Sequence, residues 1–458
     1  MSPQNLRRVP RGSRKIPGEV RIRAFQFACL AVLALATLQT APGLAAQTAS
    51  TAKGKIAAVK VTGSQRYTEA QIVAASGLRV GEVLGSEEIQ AAADRLVQLG
   101  PFSSVRFRFS SLGENVIVEF QVAEAPTVPV SFDNFPWFTD AELTDALKQA
   151  VGLFDGTAPE QGGILDTMTT ALAKLLAGRG VRATVEHTLM ADPTRDGMML
   201  QFKAIGASLR ISAVQFSDAL AAGSKRVQER LPDLVGKPYS RFAVEVFAKE
   251  QVRPLYLERG HLRVRMGTPS ARFTGSPDRP LPDSVLVAVP IEPGPVYRFG
   301  GVQWQGNGAF GAAALNEFLG LKTGEIADGM KIAAGWHRLE DEYGRRGYLD
   351  VKVQTEPVYE DAAKRVTYRV TISEGPTYRM GELVITGVSL AAENKVREAW
   401  RLPKGQVFDR VHFDQFLSML QMNRAAIFGE LPIHYDEAGH WLRTNPETRT
   451  ADVLLDFK

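Results

Sequence analysis

The chain has 458 residues, of which 45% are hydrophobic and 23% are charged, as in an ordinary soluble globular protein. This length exceeds what one hydrophobic core can organise, and it predicts three or more domains. The formal net charge of +4 is unevenly spread, because residues 1–45 hold seven Lys or Arg and one acid. The rest of the chain therefore carries a net charge of −2, which excludes the basic footprint of a nucleic-acid-binding protein.

The N-terminus has the order of a secretory signal peptide. A basic stretch ends at Arg23, an apolar run follows from Ala24 to Leu38, and a short segment, Gly43–Ala46, suits cleavage. About 15 apolar residues are fewer than the ~20 that cross a bilayer, so we expect cleavage after residue 45 or 46 rather than an uncleaved anchor. The single cysteine, Cys29, lies in this leader, so the exported chain is expected to have no disulfide or thiolate site.

Next in the chain comes a segment that predicts the order β-α-α-β-β. Ile56–Val61 is rich in strand-forming residues, and two helical segments follow it. Thr68 and Gln71 have the spacing of a capping box at the first helix. Val105–Phe109 and Val116–Val122 then alternate apolar and polar residues, as half-buried strands do. Two helices that cover one face of a three-stranded sheet make a small α+β domain.

Two sets of glycines recur along the chain at intervals of about 80 residues. One set, in the turn between the two helices, is Gly81, Gly156, Gly236, Gly324 and Gly405; the other, at the end of the second helix, is Gly100, Gly180, Gly260, Gly347 and Gly429. Two independent series with one period predict five tandem units. The predicted organisation is a signal peptide at 1–46 and units at 55–125, 126–205, 206–294, 295–376 and 377–458. A proline-rich insert in the third unit, 267–284, is expected to be a mobile hairpin loop.

The repeated unit resembles a POTRA domain. The resemblance rests on the openings Val61-Thr62-Gly63 and Ile385-Thr386-Gly387, the Gly-Leu-x-x-Gly-Glu turn, the helix end Arg346-Gly347-Tyr348 and the closing Glu374-Gly375-Pro376. It is strong in units one, four and five and moderate in unit three. It is weak in the divergent second unit, where Phe132–Trp137 departs from the opening motif.

The resemblance carries implications for fold and function. In that family, tandem POTRA domains form the periplasmic arm of outer-membrane proteins that insert barrels or export polypeptides. The resemblance thus implies five α+β modules like beads on a string, which act without catalysis as a periplasmic scaffold or chaperone-like arm at the outer membrane. Its partners would be outer-membrane barrel or assembly-machine proteins and unfolded polypeptide clients, with no cofactor and no nucleic acid.

Several alternatives stay open beside this interpretation. The repeats leave no residues for a barrel, so the insertion activity that belongs to the barrel is not implied. A barrel lost downstream through a truncated reading frame is one possibility. A periplasmic adaptor tethered to the inner membrane is a second alternative, and an enzyme with an unrecognised site is a third.

The resemblance further implies that the second strand of each unit is an open edge, where an extended client can add a strand. The candidate residues are Val105, Phe107 and Phe109 in unit one, Val181 and Val185 in unit two, and Leu349, Val351 and Val353 in unit four. The alternative is that charged residues such as Arg106, Arg108 and Lys352 blunt these edges.

Three other motifs do not predict a catalytic, cofactor or metal site. Gly306–Gly311 reads G-x-G-x-x-G, but two helices and an antiparallel pair follow it, so we predict a strand-to-helix turn rather than a dinucleotide loop. The six histidines have no short metal-binding spacing. Asp192–Gly197 lacks the distal glutamate of a calcium loop and predicts a hairpin turn.

Overall fold

The computed structural model describes residues 7–8, 53–112, 115–207, 209–274, 283–429, 431, 433 and 438–458. The fold is α+β, with several small mixed sheets that each have their own helices. The described residues form two compact units: residues 53–249 with 267–290, and residues 7–8 and 250–266 with 291–458. Among the helices of these ranges, none is both long and apolar enough to cross a membrane.

The first sheet lies in residues 54–124. Its elements are β2 (Gly54–Thr62), α1 (Glu69–Ser76), β3 (Val83–Leu84), α2 (Ser86–Leu99), β4 (Phe102–Leu112) and β5 (Asn115–Glu124), and β1 (Arg7–Arg8) precedes them in the chain. The strand order is β3-β2-β5-β4, with β2 parallel and β4 antiparallel to β5. Thr68 and Gln71 form the predicted capping box. Buried side chains of both helices and of β5 share one apolar core.

The second sheet has the same topology. Its elements are β6 (Thr127–Asp133), α3 (Asp140–Ala150), β7 (Thr157–Pro159), α4 (Ile164–Gly178), β8 (Thr184–Ala191) and β9 (Met198–Ile205), in the strand order β7-β6-β9-β8. Leu143, Leu147 and Leu172 are fully buried in its core. Burying one such side chain stabilises the fold by about 1.5–3 kcal/mol.

The third sheet has three strands, and a separate two-stranded pair accompanies it. The elements of this region are β10 (Arg210–Phe216), α5 (Ala219–Ala222), α6 (Lys225–Gln228), α7 (Arg241–Phe247), α8 (Arg253–Leu257), β11 (Arg265–Met266), β12 (Ser270–Phe273), β13 (Ser284–Val289) and β14 (Ile291–Glu292). A 3₁₀ turn spans Leu231–Asp233 and a π-helical stretch spans Ala248–Val252. Strand order is β10-β13-β12, and β11 pairs separately with β14.

The insert at 267–284, expected to be a mobile hairpin loop, contains strand β12. Ala271 and Phe273 pair with Val287 and Val285, so an antiparallel hairpin with β13 forms at the edge of the sheet. The middle of the insert, residues 275–282, lies outside the described residues.

The fourth and fifth sheets belong to the other compact unit. Their elements are β15 (Arg298–Gln305), α9 (Ala312–Leu319), α10 (Gly329–Arg345), β16 (Lys352–Glu360), β17 (Arg365–Ser373), β18 (Arg379–Thr386), α11 (Leu390–Ala399), α12 (Arg410–Met422), α13 (Arg424–Phe428), β19 (Ala438–Asn445) and β20 (Thr450–Phe457). The strand orders are β15-β17-β16 and β1-β19-β20-β18. In both sheets the first and third strands are parallel.

The two glycine series of the sequence have different structural roles. Four of the five turn glycines donate their N–H to a carbonyl of the first strand. The pairs are Gly81 to Ile56, Gly236 to Ile211, Gly324 to Phe299 and Gly405 to Met380, at 2.8, 2.8, 2.8 and 2.7 Å. Arginines that sequence reasoning missed hold the same turns in three sheets. Arg210, Arg298 and Arg379 each donate to the carbonyl of the turn glycine at 2.8–2.9 Å.

A third kind of glycine ends the first strand. Gly63, Gly306 and Gly387 have φ of 93°, 78° and 82°, a region that side chains disfavour. A Cβ at each position would overlap a carbonyl oxygen of the third strand. Gly306 opens the G-x-G-x-x-G segment, which forms the predicted strand-to-helix turn before α9. In the second sheet, Asn134 takes this place with φ 66° and donates from Nδ2 to the carbonyl of Ala204 at 2.8 Å.

One joint occurs twice within the compact unit of residues 250–266 and 291–458. The carbonyl of a helix-terminal glycine accepts the N–H of a tyrosine that precedes the next first strand: Gly260 from Tyr297 at 2.9 Å and Gly347 from Tyr378 at 2.8 Å. Both tyrosines are fully buried. The hydroxyl of Tyr378 also donates to Asp350 at 2.7 Å.

Candidate peptide-binding edge strands

The second long strand lies at an edge in four of these sheets. The four strands are β4, β8, β12 and β16. In the fifth sheet, the corresponding strand β19 pairs on its outer side with β1, Arg7 opposite Leu442 and Arg8 opposite Trp441. Because β1 lies within the predicted leader, 1–46, removal of that leader would make β19 an edge as well. An edge strand presents unpaired N–H and C=O groups, to which another extended chain can bind.

Strand β4 contains all three candidate residues of the first unit. Val105, Phe107 and Phe109 pair with Val122, Phe120 and Val118, so they lie on the helix-covered face of the sheet. Val105 and Phe107 are half-buried against the core, whereas Phe109 is 39% exposed. The structure therefore brings these three residues together on one open edge.

Strand β8 contains only one of the two candidates of the second unit. Val185 pairs with Ala204 and is buried. Val181 was wrongly expected in the strand: it precedes β8, and its N–H donates to the carbonyl of Leu176 at 3.0 Å. This bond folds the chain back after Gly180 at the end of α4, where an apolar residue packs against the helix it has just left.

Strand β16 likewise contains only Val353. Leu349 and Val351 were expected in the strand but precede it; the N–H of Leu349 donates to the carbonyl of Gly347 at 3.0 Å. Leu349 instead packs against the apolar core of the fifth sheet. Sequence reasoning also overlooked Pro357, which pairs with Tyr368 in the middle of β16. Because proline has no N–H, it interrupts the hydrogen-bonding capacity of this edge.

The four edges differ in the length of uninterrupted backbone that they offer. Strand β4 has 11 residues and no proline, with a register shift between Phe102 and Ser104 that leaves Ser104–Leu112 continuous; β8 has 8 residues, β12 has 4, and β16 has 9 that include Pro357. Longer uninterrupted edges can form more main-chain hydrogen bonds with an added strand. Strand β4 is therefore the best candidate site.

The motifs considered for metal binding have structural partners instead. Asp192 begins the β8–β9 hairpin turn and accepts hydrogen bonds from Thr194 N at 2.8 Å and Arg195 Nε at 2.6 Å. Burial opposes ionisation of Asp192, but these hydrogen bonds outweigh it and lower its pKa. His187 lies 3.3 Å from Thr169 Oγ1. His434 lies outside the described residues, among which no cluster of three or more His, Cys, Asp or Glu could hold a metal.

The divergent opening of the second unit forms a buried polar cluster with the third sheet. Asp133, 1% exposed, accepts hydrogen bonds from Ser240 Oγ at 2.9 Å and from the backbone N–H groups of Arg241 at 2.5 Å and Phe242 at 3.4 Å. It therefore caps α7, where the helix dipole favours a negative charge. Arg241 reaches back to Asp140 in the first turn of α3 at 2.7 Å. We call these contacts the Asp133 clasp.

Glu245 lies on the same helix, and its surroundings shift its pKa. Burial raises the pKa of Glu245 to about 7, although Arg241 opposes the shift, and Asp133 adds to it. A ring contact also joins the two sheets, with the centroids of Trp137 and Phe273 5.6 Å apart.

Residues 297–375, which contain β15, α9, α10, β16 and β17, match the POTRA family model, described as surface antigen variable number repeat.

Similarity to other proteins covers more of the chain than this matched segment. Over 248 residues, 52% of this chain, it is 24% identical to a Treponema pallidum (strain Nichols) protein with the provisional name of outer membrane protein assembly factor. The match spans 29% of that relative's length. Among solved structures, POTRA3-5 of Haemophilus influenzae BamA is 17% identical and covers 55% of this chain and 96% of its own, with a TM-score of 0.42. The N-terminal domain of Thermosynechococcus elongatus Omp85 is 16% identical, with coverage of 71% and 99% and a TM-score of 0.18.

Proposed function

We propose that this chain is a series of five POTRA modules that binds extended polypeptides by strand addition. The modules are residues 55–125, 126–205, 206–294, 295–376 and 377–458. In each module except the second, the first strand accepts the same hydrogen bond from the turn glycine. The matched POTRA segment and the assembly-factor relative support a periplasmic arm at the outer membrane, exported by a cleaved leader at 1–46. Its partners would be outer-membrane barrel or assembly-machine proteins and their unfolded clients.

The observation that carries this proposal is the open edge of β4. Eleven residues of extended backbone lie at the edge of a sheet, with apolar side chains on one face and charged ones on the other. Main-chain hydrogen bonds give affinity for an added strand with little demand on its sequence, which suits a protein with many clients. Such binding needs no catalytic group.

In-cell photocrosslinking tests the proposal. A photoreactive residue is placed at Ser104, exposed on β4, or at Gln121, exposed on the same face but on β5, which is paired on both sides. We expect crosslinks to unfolded outer-membrane polypeptides from position 104 and few from position 121. Equal crosslinking from both positions, or crosslinks confined to inner-membrane proteins, would contradict the proposal.

A further inference from the structure

The open edge of β4 has a chemical pattern on each face that restricts what can bind beside it. Cross-strand neighbours on one face of a sheet contact each other, so an added strand would extend each existing row by one residue. Two such rows lie on the helix-covered face. One is Val59, Val118 and Phe109, and the other is Val61, Phe120 and Phe107. Each row ends at the edge with an aromatic ring, and Phe109 is 39% exposed. The next residue in these rows is therefore best apolar.

The opposite face carries a row of alternating charge. Lys60 pairs with Glu119, and Glu119 pairs with Arg108. Arg108 Nε lies 2.7 Å from Glu119 Oε2, while 85% of its side chain is exposed. Because opposite charges stabilise neighbouring strands and like charges destabilise them, the next position in this row favours an acid.

Arg106 repeats this preference two residues earlier. It lies on the same face as Arg108 and is exposed opposite Gln121. In the part of the chain that the structure describes, the guanidinium of Arg106 forms no hydrogen bond or ion pair. Two cations spaced by two residues on the outer face would thus meet two acids with the same spacing, and an apolar residue would lie between them.

We propose that β4 selects extended segments in which apolar and acidic residues alternate. This inference rests on the proposed strand addition and names its ligand class. The same cations would repel a segment with lysines in place of the acids, so the edge discriminates by charge as well as by backbone pairing.

Binding of labelled peptides to the leader-less chain tests this selection. Three peptides share one apolar frame and differ only in the alternating residue: Val-Glu-Val-Glu-Val, Val-Gln-Val-Gln-Val and Val-Lys-Val-Lys-Val, each with flanking Gly and Ser. Fluorescence anisotropy measures affinity, and hydrogen exchange of residues 102–112 reports whether β4 is the site. We expect the glutamate peptide to bind roughly 2- to 30-fold more tightly than the glutamine peptide. High salt should reduce that preference.

Charge exchange supplies the matched control. The double variant Arg106→Glu/Arg108→Glu should prefer the lysine peptide, and Arg106→Lys/Arg108→Lys should keep the preference for glutamate. If all three peptides protect β4 with equal affinity, the charge selection is wrong and strand addition stands. If no peptide protects β4, strand addition at this edge fails as well.

Discussion

Replacing Asp133 with alanine tests whether the clasp holds helix α7 in place. The carboxylate is 1% exposed and accepts three hydrogen bonds, two of them from N–H groups in the first turn of α7. A hydrogen bond to a charged group contributes about 1.5–3 kcal/mol, and a lost helix cap costs up to about 2 kcal/mol. Ser240 still caps the helix through its bond from Ala243 N, so we expect a loss of about 2–3 kcal/mol in the free energy of local opening.

Hydrogen exchange with mass spectrometry measures that opening in the full chain. A loss of this size speeds exchange of residues 241–247 by about 30- to 150-fold, because each 1.4 kcal/mol is tenfold. Asp145→Ala is the matched control, since Asp145 is exposed on α3 and makes no ion pair in the described part of the chain. Unchanged exchange at 241–247 in Asp133→Ala, or an equal increase in Asp145→Ala, would refute the assigned role.

Further predictions concern single side chains. Gly306→Ala should destabilise the fourth sheet by at least about 1–2 kcal/mol, seen as faster exchange of β15, whereas Gly311→Ala, with φ −70° and open space around it, should not. Glu245 has a raised pKa of about 7 against an ordinary 4.5, so its contribution to stability is full below pH 4.5 and is lost as the pH rises through 7. In urea unfolding at several pH values, the free energy of unfolding of Glu245→Gln should therefore decline less between pH 4.5 and 7 than that of the parent chain. Tyr378→Phe removes the hydrogen bond to Asp350 and should lower the free energy of unfolding by about 1 kcal/mol in the same assay. Unchanged stability would contradict this prediction.

Much of the repeat architecture could be predicted because glycine has a specific backbone role at its turns. Gly63, Gly306 and Gly387 combine a positive φ with close approach to the third strand, so the positions are recognisable in the sequence alone. The second unit obscured the pattern because Asn134 adopts the same conformation. Asparagine is the residue that most readily substitutes for glycine there, since its short side chain can bond locally.

Strand beginnings were less predictable than strand identity. Val181, Leu349 and Val351 continue an alternation of apolar residues that looks like the start of a strand. In the structure, the residues that follow Gly180 and Gly347, Val181 and Tyr348, donate their N–H groups back to the carbonyls of Leu176 and Tyr343 in the preceding helix, so each strand begins later. Alternation therefore predicts which strand forms, whereas the helix C-terminus decides where its first ladder bond is made.

The tertiary partners of the polar residues could not be predicted. Asp133 appeared only as part of a departure from the opening motif, and its partners lie more than 100 positions away in the chain. No periodicity signals such a pair, because a buried carboxylate has the same local sequence as an exposed one. Pro357 is the opposite case, since its effect on an edge strand follows from the residue itself.

The parallel pairing of first and third strands affects the order in which the chain can fold. Lys55 pairs with Asn115, and Arg298 pairs with Arg365, so a sheet cannot close until some 60 to 70 further residues have been synthesised. From residue 53 onward, each described strand belongs to one sheet only. A nascent chain would thus complete its sheets one after another, each when its own last strand arrives. Since each sheet closes on its own strands, a lesion in one sheet leaves the closure of the next intact.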